Sequence, residues 1–345
     1  QLVSFERETV SVPTNISNGA TASQAGENVE DVNNELSDAA TGFGKQRGRT
    51  QISPTFGVFS TGQFGRTYHD GYRVRGGGTS GAVTPAFTGD SFSVIGTGEL
   101  DASAQFNLED IGLRISAFGG YAQNYVQLDR SVDGVNFTPF VGTGFNESGI
   151  FGGSVLVSKI AGEGNLNYGL VSAAGIFGST NIRAADTGGR GSYGTQGVVI
   201  SGKAGRNLAV SDNVRLDVRF GAAFNHFHGD GFTDDLGTRY GSSTVTAGQV
   251  SFEPGVSTAV LLGDVVVSPS ARLLFIQRVG NDNSASVNGT SFTFEDADFT
   301  LGGQVATTFD VTDRLAAGIA VEGRVSEDDR TLLGKLSLTY LFGGG

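Results

Sequence analysis

The stretch VRLDVRFGAAFNHF, residues 214–227, decides how the fold is read. Val214, Leu216, Val218, Phe220, Ala222 and Phe224 share one parity, and Arg215, Asp217, Arg219 and Asn225 share the other. Successive side chains of a strand point to opposite faces, so this segment has one oily face and one charged face. The pattern recurs. Leu332, Leu336, Leu338, Tyr340 and Phe342 alternate with Lys335, Ser337 and Thr339. Leu315, Ala317, Ile319 and Val321 are set against Arg314, Glu322 and Arg324, and Ile111, Leu113, Ile115, Ala117 and Tyr121 against Arg114, Ser116 and Asn124.

From Pro54 onward the period of two persists. It predicts twelve strands at about 54–64, 91–106, 111–127, 148–160, 165–178, 193–207, 214–227, 242–261, 265–279, 294–309, 314–325 and 331–342. Their connections alternate in length. Short turns rich in Gly, Asn and Asp fall at 107–110, 161–165, 208–213, 262–264 and 310–313, as tight hairpins require. Long polar segments fill 65–90, 129–147, 179–192, 228–241 and 280–293, with a shorter one at 326–330. A soluble secreted sandwich would also alternate, so the period alone leaves that reading open. Strand length and loop asymmetry favour another. Strands beyond the usual ~5 to 6 residues, with tight turns at one end and long loops at the other, have the design of an outer-membrane barrel.

The expected fold is therefore all-β: a closed, antiparallel, twelve-stranded transmembrane β-barrel. Oily residues would face lipid and charged residues the lumen. Hydrocarbon offers no partner to an unpaired N–H or C=O, so the sheet must close, and an even strand number lets first and last strands pair antiparallel. Pro254 and Pro269 fall inside expected strands and would each remove a ladder bond, so bulges or exposed ends are expected there.

Composition agrees and excludes several classes. The chain has 345 residues with 55 Gly, 25 Phe and 8 Tyr, and neither Cys, Met nor Trp. Disulfides and thiolate metal sites are thereby excluded, and three His (His69, His226, His228) make an imidazole cluster a poor expectation. A formal net charge of −12 argues against nucleic acid as a partner. No run approaches the ~18 apolar residues of a spanning helix. A chain beginning at Gln1 in place of Met points to removal of a targeting segment and to export. Abundant Gly suits the curvature and close strand approach of a barrel.

Residues 1–50 form a different unit, an N-terminal arm, before a barrel domain at 51–345. Within the arm, ENVEDVNNELSDAA carries Val29, Val32, Leu36 and Ala39 or Ala40 at spacings of three and four, predicting a short acidic helix at about 26–40. Its other faces hold Glu27, Glu30, Asp31, Glu35 and Asp38, with Gly42 and Gly44 as stop signals.

An acidic helix ahead of twelve alternating strands, turns such as NLEDIGLRISAFGGYAQ (107–123) and GDVVVSPSARLLFIQ (263–277), and the closing strand KLSLTYLF (335–342) together resemble the translocator barrel of bacterial autotransporters. The resemblance spans residues from about 26 to 342 and lies in strand count and order, the individual motifs being degenerate. It implies an outer-membrane location, with membrane lipid, lipopolysaccharide and the barrel-assembly machinery as partners. It implies further that the helix runs through the lumen towards a secreted passenger, and that the terminal aromatics, Tyr340 and Phe342, are the assembly signal. Two features depart from the family pattern. About 25 residues precede the helix, too few for a folded passenger, and Gly343, Gly344 and Gly345 follow Phe342. A stand-alone channel or structural barrel is the alternative.

A twelve-stranded lumen leaves room for a helix ~10 to 12 Å across. Arg114, Lys203, Arg215, Arg219, Arg272, Arg324 and Lys335 have lumen parity. They would meet the acids of a plugging helix, Glu27, Glu30, Asp31, Glu35 and Asp38. The competing expectation is that lumen charges pair among themselves, because Glu99, Asp101, Asp217, Glu253, Asp298 and Glu322 share that parity.

No nucleophile, base and orienting acid emerge. G-x-S-x-G after a buried strand with a His partner is missing, and neither enzymatic activity nor a cofactor is expected. HGDGFTDD (228–235) gathers Asp230, Asp234 and Asp235 beside His226 and His228, as a Ca²⁺ or lipopolysaccharide loop or, more simply, a solvated acidic one. Arg66, Tyr68, His69, Tyr72, Arg73 and Arg75 fall in a segment whose GGGTSG reads as a flexible basic surface loop.

Overall fold

The computed structural model describes residues 13–41, 56–70, 73–76, 79–83, 86–103, 111–128, 142–162, 165–184, 188–287, 290–295, 297–312 and 314–342. One helix, α1 (Pro13–Thr41), precedes twelve long strands. These are β1 (Phe56–His69), β2 (Phe87–Asp101), β3 (Ile111–Leu128), β4 (Gly142–Ile160), β5 (Leu166–Ala184) and β6 (Arg190–Ala209). The second half comprises β7 (Val214–Gly229), β8 (Ser243–Thr258), β9 (Val265–Val287), β10 (Phe299–Asp310), β11 (Leu315–Ser326) and β12 (Asp329–Phe342).

Each strand pairs antiparallel with the next, and β1 pairs with β12 from Phe56↔Phe342 to His69↔Asp329. The sheet is closed. Alternation then sorts the side chains: Phe64, Phe151, Val171, Phe177, Phe220, Val305, Leu332 and Leu336 are exposed on the outside, while Arg219, Glu253, Asp217 and Lys203 are buried inside. The apolar exterior is the face that needs hydrocarbon. Closure has a direct check, because the chain is free of Cys. Thr61 and Ser337 are register partners on β1 and β12, so T61C with S337C is expected to form a disulfide in the folded protein. Non-reducing gel migration would show it, and a pair that stays reduced under mild oxidant would contradict the register.

All twelve strands lie where alternation places them, but several run further at the loop end. β4 starts at Gly142 where about 148 was expected, β5 continues to Ala184 and β9 to Val287. Above the apolar band both faces meet water, so the alternation fades while the backbone ladder continues.

Three expectations are corrected. The helix is 29 residues long and starts at Pro13, not near 26; Pro fits the first turn, where its missing N–H has no partner to lose. The segment PTNISNGATASQA is poor in strong helix formers, so its helicity comes from the surroundings and not from propensity. Neither proline causes a bulge. Pro254 interrupts the β8–β9 ladder between Phe252↔Phe275 and Gly255↔Arg272 without changing register, and Pro269 keeps its place opposite Thr307 of β10. The register shift lies where Gly248 of β8 stands opposite both Val279 and Gly280 of β9, and a Cβ on Gly248 would lie 2.6 Å from the Val279 carbonyl oxygen. The basic segment is also more ordered than expected. Arg66, Tyr68 and His69 belong to β1, and Arg73–Gly76 pairs with both Thr79–Val83 and Thr290–Glu295. Tyr72 lies outside the described residues, as do residues 343–345.

Candidate functional site: the helix-filled lumen

Twelve strands ~4.8 Å apart, tilted by ~40°, give a backbone diameter of about 24 Å, and side chains reduce the free bore to little more than a helix. The 29 residues of α1 extend ~44 Å at 1.5 Å each, longer than the ~25 Å apolar band of such barrels. Among the described residues no helix is long and apolar enough to cross a membrane by itself. α1 is accommodated by the wall around it.

One side of the helix meets an apolar and amide-binding wall. Val29, Val32 and Leu36 are at most 1% exposed and pack in one cluster with Phe59, Ile95, Phe118, Ile150, Leu156, Leu170, Ile176 and Val199. Between these contacts amides of α1 hydrogen-bond to β2, β3, β5 and β6. Gln24 Nε2 donates to the carbonyls of Phe92 (3.1 Å) and Gln123 (2.9 Å). Ser93 Oγ donates to Asn28 Oδ1 at 2.6 Å, Asn33 Nδ2 donates to Ser201 Oγ at 2.6 Å, and Ser172 Oγ donates to Asn33 Oδ1. Gly26 allows the close approach to β7, since a Cβ there would lie 2.6 Å from Asn225 Nδ2.

The opposite side meets charge. Towards the loop end, Arg324 Nη1 binds Glu27 at 3.2 Å and Lys335 Nζ binds Asp31 at 2.5 Å, while both cations also hold Glu322 of β11. Deeper, Lys203 Nζ reaches Glu30 (2.8 Å), Asn34 Oδ1 (2.8 Å) and Glu253 (2.9 Å). Arg219 contacts Asp38 at 3.0 Å, Asp217 at 3.2 Å and Glu253 at 3.4 Å, and Arg272 contacts Asp38 at 3.2 Å and Asp217 at 3.3 Å. Tyr168 donates its hydroxyl to Asp217 at 3.2 Å. Each of these five cations binds at least one acid of the wall and one of the helix, and Arg219 binds two of the wall. Pairing with the helix and pairing within the wall occur side by side on the same cations. The five cations share only three wall carboxylates (Asp217, Glu253 and Glu322), so this part of the wall is left positive and α1 supplies the missing anions.

Contacts on the charged side are bridged and not packed. A cavity of about 150 Å³ lies at the loop end between α1 and the wall, reaching from β7–β12 round to β1–β3, and is lined by Glu27, Glu30, His69, Asn124, Asn225 and Arg324 among others. A second, of about 60 Å³, is lined by Glu35, Asp38, Gln304 and Lys335. Both are polar and large enough for water.

The remaining expected residues fall elsewhere. Arg114 lines the lumen but pairs with Glu99 of β2 at 3.0 Å, and Arg215 donates to Asn207 at 3.1 Å. Tyr340 and Phe342 stand exposed on the outside of β12, edge to face at 4.7 Å. In the acidic loop, Asp234 accepts from the backbone of Leu236 and Thr238, and Asp235 accepts from the backbone N–H of Arg190. These carboxylates shape a turn and do not converge; among the described residues no group of three or more His, Asp or Glu is placed to hold a metal. His69 turns inward, stacked on Phe87 at 4.6 Å with Nε2 3.4 Å from Asp329. Missed from sequence were Gln24, Asn28, Asn33 and Asn34. Their signal was present: amides at helical spacing beside Val29, Val32 and Leu36, on a face that an ordinary core helix would keep apolar.

A closed barrel with an oily outside, a charged lumen, short turns at one end and longer loops at the other is a bacterial outer-membrane β-barrel protein. The family model of the Autotransporter beta-domain matches residues 149–322, half of the chain, and the chain belongs to that family. Solved structures carry the same fold. The transport unit of the autotransporter AIDA-I from Escherichia coli superposes with a TM-score of 0.62 at 12% identity, covering 94% of this chain and 98% of that one. The translocator domain of the autotransporter NalP from Neisseria meningitidis gives 0.59 at 14% identity, covering 94% and 99%. The beta domain of the Bordetella autotransporter BrkA gives 0.51 at 17% identity, covering 83% and 99%. Comparison with curated protein sequences gives no match.

Proposed function

We propose that this chain is a translocator and membrane anchor: the barrel sits in the outer membrane, α1 stays in the lumen as a plug, and the segment ahead of Pro13 emerges at the cell surface. The polarity of α1 carries the reading. Gln24 and Asn28 contact β2 and β3 towards the loop end, and Asp38 contacts Arg219 of β7 near its short-turn start. The helix therefore points its N-terminus to the long-loop end, which in such barrels is extracellular. Lipid and lipopolysaccharide would surround the apolar band, and Tyr340 and Phe342 would address the barrel-assembly machinery from the short-turn end of β12. The role is transport and anchoring, with no reaction catalysed.

Surface access tests the reading. A protease site inserted before Pro13 is expected to be cut by protease added to intact cells. Cleavage only after the cells are broken would place the N-terminus in the periplasm and favour a stand-alone channel.

A further inference from the structure

Arg183 near the end of β5 and Arg190 at the start of β6 are direct cross-strand partners. Cross-strand partners share a face, and these two share the outward parity of Phe177 and Val198, so both guanidinium groups stand outside the barrel. Both residues are exposed. Like charges directly opposite each other destabilise a sheet, and here they occur in a chain whose net charge is −12. Among the described residues neither guanidinium has a carboxylate partner. Asp235 uses Oδ1 to accept the backbone N–H of Arg190 at 2.7 Å, and its own N–H donates to the Arg190 carbonyl at 3.0 Å. That exchange fixes the backbone under the pair and leaves the two side chains with net positive charge.

Position along the barrel identifies what would supply the anion. Phe177, stacked on Phe151 at 5.4 Å and 53% exposed, marks the apolar band. Arg183 follows six residues later on the same face, which at ~3.3 Å per residue and ~40° tilt is roughly 15 Å further out. That is above the hydrocarbon, among polar headgroups, at the loop end and so in the outer leaflet. Just inward on the same face lies another cross-strand pair, Asn181 and Ser192, both exposed and both able to hydrogen-bond a sugar or phosphate oxygen. Two planar guanidinium groups side by side match a tetrahedral phosphate, each able to donate two N–H bonds.

We propose that Arg183 and Arg190 form a clamp for a phosphate group of lipopolysaccharide, with Asn181 and Ser192 as its neutral flank. The inference rests on the outer-membrane placement but not on the plug, so surface access and pore conductance are independent of it. The test uses the folded full chain in detergent, with binding followed through the rise in unfolding temperature, read by heat-modifiable gel migration. Phosphorylated lipopolysaccharide, the same lipopolysaccharide with its phosphates removed, and inorganic phosphate are the three probes. Phosphorylated lipopolysaccharide is expected to stabilise the wild type, and R183Q with R190Q to weaken the apparent affinity by roughly tenfold or more, as loss of two charge-assisted pairs should. R66Q is the control, since Arg66 already binds Asp90 at 2.6 Å, and should leave the affinity unchanged. Equal binding by the double variant, or by dephosphorylated lipopolysaccharide, would overturn the assignment. Equal stabilisation by inorganic phosphate would show a free-anion site and overturn the lipid. Should the double variant not fold, the wild-type comparison of the three probes decides alone.

Discussion

Deleting residues 1–41 is expected to raise the single-channel conductance of the barrel several-fold in planar bilayers. α1 fills a bore not much wider than itself, and two cavities beside it hold only about 150 and 60 Å³. Removing it would leave a lumen lined on one half by charge and on the other by Phe59, Ile95, Phe118 and Ile176. The barrel itself should survive, because each strand keeps both hydrogen-bonded neighbours and the closing β1–β12 pair does not involve the helix. It should be less stable. Burial of Val29, Val32 and Leu36 contributes about 1.5 to 3 kcal/mol each, an upper estimate because the unfolded chain is not fully extended. The positive wall loses its helix anions as well. A lower temperature of heat modification together with an open pore is the expected signature. A folded deletion variant that conducts no better than the full chain would sink the plug.

The barrel was legible in sequence because two physical constraints write it there redundantly. Lipid outside and water inside force the alternation seen in residues 214–227, and a bilayer of fixed thickness forces the strand length. Each constraint repeats twelve times, so an error at one strand does not move the others. The extensions at Gly142 and Ala184 were illegible for the converse reason: outside the bilayer a ladder needs only backbone, and residues such as Asn146 and Glu147 carry no oily partner to announce it. α1 was legible only where it touches the apolar wall, from Val29 to Leu36. Its first thirteen residues are polar and small, and nothing local in them says helix. The charged partners were read in part. Parity placed Lys203, Arg219, Arg272, Arg324 and Lys335 in the lumen, yet parity gives no height along the barrel. It therefore could not tell these five from Arg114, which faces the same space and pairs with Glu99 of the wall.

That distinction sets the second large effect. Arg219 is fully buried and joins two wall acids, Asp217 and Glu253, to Asp38 of the helix. R219L keeps the stem's apolar bulk but leaves those carboxylates one cation short in a site with little water. Removing one partner of a buried ion pair typically costs ~3 to 5 kcal/mol, most of it the penalty of the charge left behind. R114L removes a cation of the same type from a partly exposed pair and should cost no more than ~1 kcal/mol. The unfolding temperatures of the two variants, measured side by side, are expected to differ by that margin. Coupling to the helix is then isolated by adding D38N to each background. Taking away the surplus negative charge should recover part of the R219L loss, while in the R114L background it should only destabilise. If D38N costs the same in both, Arg219 is a wall residue only, and Asp38 is held by Arg272 without help from it.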